Sequence, residues 1–141
     1  MENLAPFISN NLLLVMALIV VLGMLFFNIL GPRLRGYQMV TPALVTQLIN
    51  QDDALILDIR QDNEFKDGHI INSKHIPLAY LKDRISDLEA YKNKPIIAVC
   101  RSGHRSGQAC SSLKKAGFES VYNLAGGVLA WEAANLPLTK N

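Results

Sequence analysis

Between Leu12 and Leu30 the chain carries no charged side chain and a single asparagine, Asn28. No other feature limits the available folds so strongly. A helix needs roughly 20 mostly apolar residues to cross a bilayer core, at about 1.5 Å per residue. A core helix of a soluble domain needs a polar face, and this run offers none. A signal peptide has a basic leading region, an apolar stretch of about 7–15 residues and a small-x-small cleavage site. Here the leader holds Glu2 and no Lys or Arg, and nothing after Leu25 resembles a cleavage site. The run therefore reads as one transmembrane helix over residues 12–30, with a short tail at 1–11 and a linker at 31–36. Arg33 and Arg35 follow it, and basic flanks stay on the cytoplasmic side. The expectation is a single-pass protein of the inner (cytoplasmic) membrane, its N-terminus outside and the rest in the cytoplasm.

What remains of the 141 residues suffices for one ordinary domain. The two cysteines, Cys100 and Cys110, make no secreted-type disulfide framework and agree with a reducing compartment. The net charge is +2, and Glu2 is the only charge before Arg33, so the remainder carries +3. That is too mild for a nucleic-acid partner, and no basic stripe with interleaved aromatics appears. Repeats and low-complexity tracts are absent from the sequence.

From residue 37 onward strand-like and helix-like segments alternate. Residues 37–40 form a short strand candidate. Thr41 is a good N-cap and Pro42 suits a first helical position; Leu44, Val45, Leu48 and Ile49 then share a helix face. Strands are expected at 54–59, 73–78, 95–99 and 120–124, and helical spacing at Leu81, Ile85 and Leu88. Ala109, Leu113 and Ala116 mark another helix, with Lys114 and Lys115 in its last turn and Gly117 as its stop. Residues 126–131 open a last short helix. Such alternation predicts an α/β fold, a mostly parallel sheet covered on both faces, with ligands bound beyond the carboxyl ends of its strands.

Cys100 stands at one of those ends, followed at once by Arg101-Ser102-Gly103-His104-Arg105-Ser106. An ordinary cysteine has a pKa near 8.5, which a helix N-terminus and nearby cations bring down to about 3.5–7.5. Both are present in the pattern. A helix begins within a few residues, so backbone N–H groups converge above its start. Gly103 and Gly107 let the backbone turn tightly and approach closely, and Arg101, His104 and Arg105 add positive charge. The construction suits an anion in contact with the cysteine sulfur. Cysteine-dependent phosphatases have one more residue between Cys and Arg than the Cys-x4-Arg found here, and the shorter loop fits a terminal sulfur better than a phosphoryl group.

The loop "CRSGHRS" resembles the active-site loop of single-domain rhodaneses. "LILDIR" at 55–60, "EFKDGHI" at 64–70, "HIPL" at 75–78 and "NLAGGVLAW" at 123–131 match the same family in order. The resemblance covers roughly residues 37–137, and places a rhodanese-like three-layer domain at 37–138 behind a membrane anchor. It implies sulfur transfer: Cys100 takes a sulfane sulfur from a small anionic donor such as thiosulfate, and a sulfur acceptor, unidentified from sequence, removes it from the persulfide. By similarity the loop residues Arg101, Ser102, Gly103, His104, Arg105 and Ser106 bind the donor, the two arginines holding its charge and the backbone cradling the persulfide. No metal or organic cofactor is implied.

Asp58, Arg60 and Glu64 read as a structural ion pair and loop support, and His69 as a hydrogen-bonded structural histidine. His104 either tunes the thiolate or faces solvent. Gly126 and Gly127 suit close packing, Trp131 the core, and Cys110 burial beside Leu113. Two rival functions are a catalytically idle rhodanese-like module that binds proteins at the membrane, and a cysteine phosphatase or arsenate-reductase-like enzyme. The intact loop opposes the first and its length the second.

Overall fold

The computed structural model describes residues 3–140, so Met1 and Glu2 of the expected tail lie outside the described residues. The chain divides into two units, one ending at Arg35 and one beginning at Gly36.

The first unit holds α1 (Leu4–Asn10) and α2 (Leu12–Leu34). Within α2, Leu12–Gly31 spans 20 residues with a mean hydropathy of 2.9 and no buried side chain, so by length and composition it is a helix able to cross a membrane. The helix runs past Gly31-Pro32 and takes in part of the expected linker. A proline removes one N–H from the helical ladder, and here the ladder continues around it.

The second unit is built on five parallel strands in the order β1-β5-β4-β2-β3. They are β1 (Gln38–Val40), β2 (Leu55–Asp58), β3 (Lys74–His75), β4 (Ile96–Val99) and β5 (Val121–Leu124). The helices are α3 (Pro42–Asp52), α4 (Asp62–Lys66), α5 (Leu81–Arg84), α6 (His104–Lys115) and α7 (Gly127–Ala133). Because successive strand residues point to opposite faces, β2 and β4 feed two cores at once. Leu55, Leu57, Ile96, Ala98 and Cys100 pack with Ala109, Cys110 and Leu113 of α6. Ile56, Ile97 and Val99 pack on the other side with Val45, Leu48, Val128 and Trp131. Four consecutive buried residues in each of these strands are what a sheet covered on both faces requires.

Thr41 caps α3 through its hydroxyl, which accepts the Leu44 N–H at 3.3 Å, with Pro42 at the first helical position. Of the strand expected at 73–78 only Lys74–His75 forms the ladder, although the Ile76 and Leu78 amides still bond to the Asp58 and Ile59 carbonyls. Pro77 lies between these two amides, where its missing N–H would face away from β2 on the outer side of the edge strand. The helix expected around Leu81, Ile85 and Leu88 is one α-turn between two 3-10 segments, Leu78–Tyr80 and Ile85–Tyr91. So short a helix has little stability of its own, and packing of Leu81 and Leu88 on the sheet decides its path. Helix α4 was not foreseen from the sequence. Its first turn is closed by the Gln61 N–H donating to Glu64 Oε2 at 3.0 Å, the reach-back half of a capping box.

Asp58, at the carboxyl end of β2, is 1 % exposed and forms a buried pair with Arg60. Arg60 Nη2 donates to Asp58 Oδ2 at 2.7 Å and to the Gly68 carbonyl at 2.8 Å, and its backbone N–H donates to Asp58 Oδ1 at 3.0 Å. The pair ties β2 to the segment that follows α4. Removing one partner leaves the other charge buried, at a cost of about 3–5 kcal/mol. Asp58→Ala should therefore lower unfolding stability by about that amount, measured by denaturant titration with Trp131, the chain's sole tryptophan, as the fluorescent reporter.

Candidate active site

Strand β4 delivers Cys100 to the carboxyl edge of the sheet, and α6 starts four residues later at His104. Gly103 makes that short connection possible, with φ at 97°, a conformation that L side chains rarely adopt. Its N–H donates to Cys100 Sγ at 3.0 Å. A Cβ there would also press to 3.3 Å from the Leu124 carbonyl and the Gly126 N. The second expected loop glycine acts differently. Gly107 lies inside α6 and does not turn the backbone; its missing Cβ leaves room for the Tyr37 hydroxyl, which a Cβ would approach to 3.0 Å.

The loop is held from the other side by the start of α7. The Val128 N–H donates to the Cys100 carbonyl at 2.9 Å and the Leu129 N–H to the Arg101 carbonyl at 3.2 Å. Gly126 and Gly127 both have positive φ, and a Cβ on Gly127 would run into the Cys100 and Arg101 carbonyls. With its carbonyls engaged there, the loop turns its N–H groups toward the sulfur. Burial pushes the Cys100 thiol up, but the hydrogen bonds that its ionised sulfur can accept from the Ser106 hydroxyl and from the backbone N–H groups of Ser106, Ser102 and Gly103 outweigh it, and the thiol ends below its ordinary value. Cys110, by contrast, is pushed up to about 12 by burial, with the nearby Cys100 adding to it, and its thiol donates to the Tyr122 carbonyl. Cys100 is the acidic thiol and Cys110 the inert one.

A buried thiol made acidic by amides at a strand-to-helix turn is the arrangement the sequence resemblance implied, and the family model decides it. Residues 41–134 match the rhodanese-like domain. The chain belongs to the rhodanese-like family. It is 32 % identical over 141 residues to the uncharacterized protein YibN of Escherichia coli (strain K12), covering 99 % of both chains. It is 37 % identical over 99 residues to the thiosulfate sulfurtransferase GlpE of Pseudoalteromonas translucida, covering 70 % of this chain and 92 % of the relative. Among solved structures, a rhodanese-related protein from Thermoplasma volcanium superimposes with a TM-score of 0.68 at 27 % identity, over 74 % of this chain and all of that one. At the level of the family, then, the domain is a rhodanese-like sulfurtransferase.

Around this rhodanese loop the expected site residues separate into two groups. Gly103 and buried Ser106 face the sulfur, with Ser106 Oγ at 3.3 Å from Cys100 Sγ. Arg101, Ser102 and His104 are exposed. Arg105 points elsewhere, and its guanidinium grips Glu64 of α4 with both arms, Nη2 to Oε1 at 2.7 Å and Nη1 to Oε2 at 2.8 Å. Asp58 and Arg60 engage each other rather than the sulfur. His69 is structural, its Nδ1 donating to the Phe65 carbonyl at 2.8 Å and its ring stacked on Phe65 at 3.7 Å. One participant was not singled out as a site residue from the sequence. Asn123 of β5, 2 % exposed, accepts from the Ser106 hydroxyl and donates to the Gly103 carbonyl. Its signals in the sequence were an amide inside a strand and its place at the head of the family-matching stretch at 123–131, neither of which shows what it touches.

The Arg105 fork, aided by the Gln61 N–H and working against burial, holds the Glu64 carboxyl down at about 2, from an ordinary 4.5. A carboxyl depressed on folding contributes stability that is full above the unfolded value and lost as pH falls through the folded one. Glu64→Gln, which cannot ionise, should thus be less stable than wild type at about pH 6 and approach it as pH falls toward 2. Denaturant titrations across that range check this; a pH-independent gap would show that the carboxylate charge is not what anchors Arg105.

Proposed function

We propose that this chain is a membrane-anchored sulfurtransferase that carries a sulfane sulfur on Cys100. The observation that supports it most directly is the buried, acidified Cys100 sulfur under the Gly103 N–H at the start of α6. A thiolate there attacks the outer sulfur of thiosulfate; the S–S bond of the donor breaks, sulfite leaves with its electron pair, and Cys100 becomes a persulfide anion. An acceptor thiolate or other thiophile then takes the terminal sulfur and returns the Cys100 thiolate, a ping-pong cycle that needs no further oxidant or reductant.

In this reading the loop from Arg101 to Ser106 binds the donor. Arg101 forms no ion pair among the described residues, so its planar fork is open to an oxyanion. Arg105, its fork occupied by Glu64, adds charge beside the sulfur rather than a second clamp. Thiosulfate is the favoured donor class because the GlpE relative bears that activity in its name. Residues 12–30 anchor the protein, 31–36 link it, and residues 37–138 act in the cytoplasm with the N-terminus outside, as Arg33 and Arg35 favour. An anchor raises the local concentration of the sulfur carrier at the membrane, which suits a membrane-bound acceptor.

Intact mass of the detergent-solubilised chain after thiosulfate treatment, without reductant, tests the reading. Wild type should gain one sulfur atom and Cys100→Ser none. A folded wild type that gains nothing would turn the assignment toward a tethered binding module. For a variant, Arg101→Ala should raise KM for thiosulfate by about tenfold while changing kcat less, the cost of one charge-assisted contact made equally in ground and transition states.

A further inference from the structure

Asn123 sits on β5 in register with Ala98 of β4, on the sheet face that also carries Cys100. Its neighbours fix its amide orientation. The Gly103 carbonyl can only accept, so the group 3.0 Å from it is the Asn123 amide N–H. Oδ1 therefore faces Ser106, and since an amide oxygen cannot donate, the Ser106 hydroxyl hydrogen lies on the 2.5 Å line between them. With that hydrogen committed, the 3.3 Å contact between Ser106 and Cys100 has the thiol as its donor. Such a contact favours the protonated sulfur. A hydrogen bond that favours the neutral form works against the anion, and one made to the anion works for it.

We propose that Asn123 is a positioning residue that sets the reactivity of Cys100 by competing with its sulfur for the hydroxyl hydrogen of Ser106. The two states differ by one hydroxyl torsion. In the resting thiol the chain of hydrogens runs from Cys100 to Ser106 to Asn123. When Cys100 gives its proton to water, the Ser106 hydroxyl turns to the sulfur and Asn123 Oδ1 loses its partner, while the amide N–H keeps its hold on the Gly103 carbonyl. Full stabilisation of the sulfur anion thus arrives only after the proton has left, and Asn123 holds the thiol in reserve until then. The charges around Cys100 are separate from this exchange. Arg105 and Cys110 of α6 act on Cys100 through their electrostatics. Glu64 of α4 and Asp58 of β2 are each engaged by a guanidinium, and Arg101 and His104 are exposed on the loop. None of these charged side chains is hydrogen-bonded to the Ser106 or Asn123 side chain.

The proposal rests on Cys100 being the reacting sulfur, and its test reads thiol reactivity rather than sulfur transfer, so either can fail alone. The rate of single iodoacetamide addition to the full chain is followed against pH by intact mass, with Cys100→Ser as the blank. At a pH below the thiol's midpoint, Asn123→Ala should react about tenfold faster than wild type and Ser106→Ala about tenfold slower, the size of one hydrogen bond to a charged group. In the Ser106→Ala background, Asn123→Ala should change nothing further. If Asn123→Ala slows the reaction, or shifts it equally with and without Ser106, Asn123 acts through the Gly103 carbonyl and the shape of the loop, and the proposal falls. Should Asn123→Ala not fold, Asn123→Asp serves: its carboxylate keeps the acceptor and holds the hydroxyl harder. The slowing it causes should then be greater with Ser106 present than in Ser106→Ala; equal slowing overturns the proposal.

Discussion

The rest of the domain is arranged around a cysteine sulfur that must be able to ionise where water scarcely reaches. Cys100 is 1 % exposed, and taking an ion out of water costs several kcal/mol. One hydrogen bond to a charged group returns about 1.5–3 kcal/mol, so a single donor does not suffice and several must converge. The strand-to-helix turn provides them, because the first N–H groups of a helix have no partner inside it. What makes the turn effective is the second layer. Val128 and Leu129 at the start of α7 engage the loop's own carbonyls, and the glycines at 103, 126 and 127 let the two backbones come close enough to do so.

Charge is arranged on the same plan, by fixing cations rather than by accumulating them. The Arg105–Glu64 pair joins α6 to α4, with side chains 37 % and 24 % exposed. A two-pronged pair of that kind restrains geometry more than it adds stability, since solvent still screens it. The Asp58–Arg60 pair does for β2 what the first does for the loop, and being nearly inaccessible it is the costlier of the two to break. Both pairs lie at the carboxyl edge of the sheet and both steady the ground on which the Cys100 loop stands.

Sequence patterns made the sheet legible because burial on both faces leaves apolar runs, as at residues 55–57 and in Ile96–Val99. The thiol and the glycine that turns its loop were legible for a different reason: chemistry confined to seven consecutive residues leaves a local mark. What sequence could not show was pairing at a distance. Glu64 and Arg105 are 41 positions apart and meet only because α4 and the start of α6 reach the same edge. Asn123 and Ser106 meet only because β5 lies beside β4. The edge strand at Lys74–His75 and the 3-10 segments around α5 were blurred for the converse reason, their local preferences being weak and their conformation settled by packing.

The size of the cradle bears on what it can hold. A phosphoryl group presents three equatorial oxygens and calls for an arginine fork set opposite them, as well as a ring of amides. Here the one loop arginine with a fixed position turns its fork to Glu64, and the donors that face inward point to a single atom, Cys100 Sγ. A site with this distribution stabilises a compact anion at or next to the sulfur far better than a spread tetrahedral one. The exposed Arg101 guanidinium at the rim can still meet the oxyanion end of a donor whose terminal sulfur enters first. For the proposed sulfur transfer, the same division of labour, amides for the sulfur and a peripheral cation for the oxyanion, would let sulfite leave without disturbing the groups that stabilise the sulfur left on Cys100.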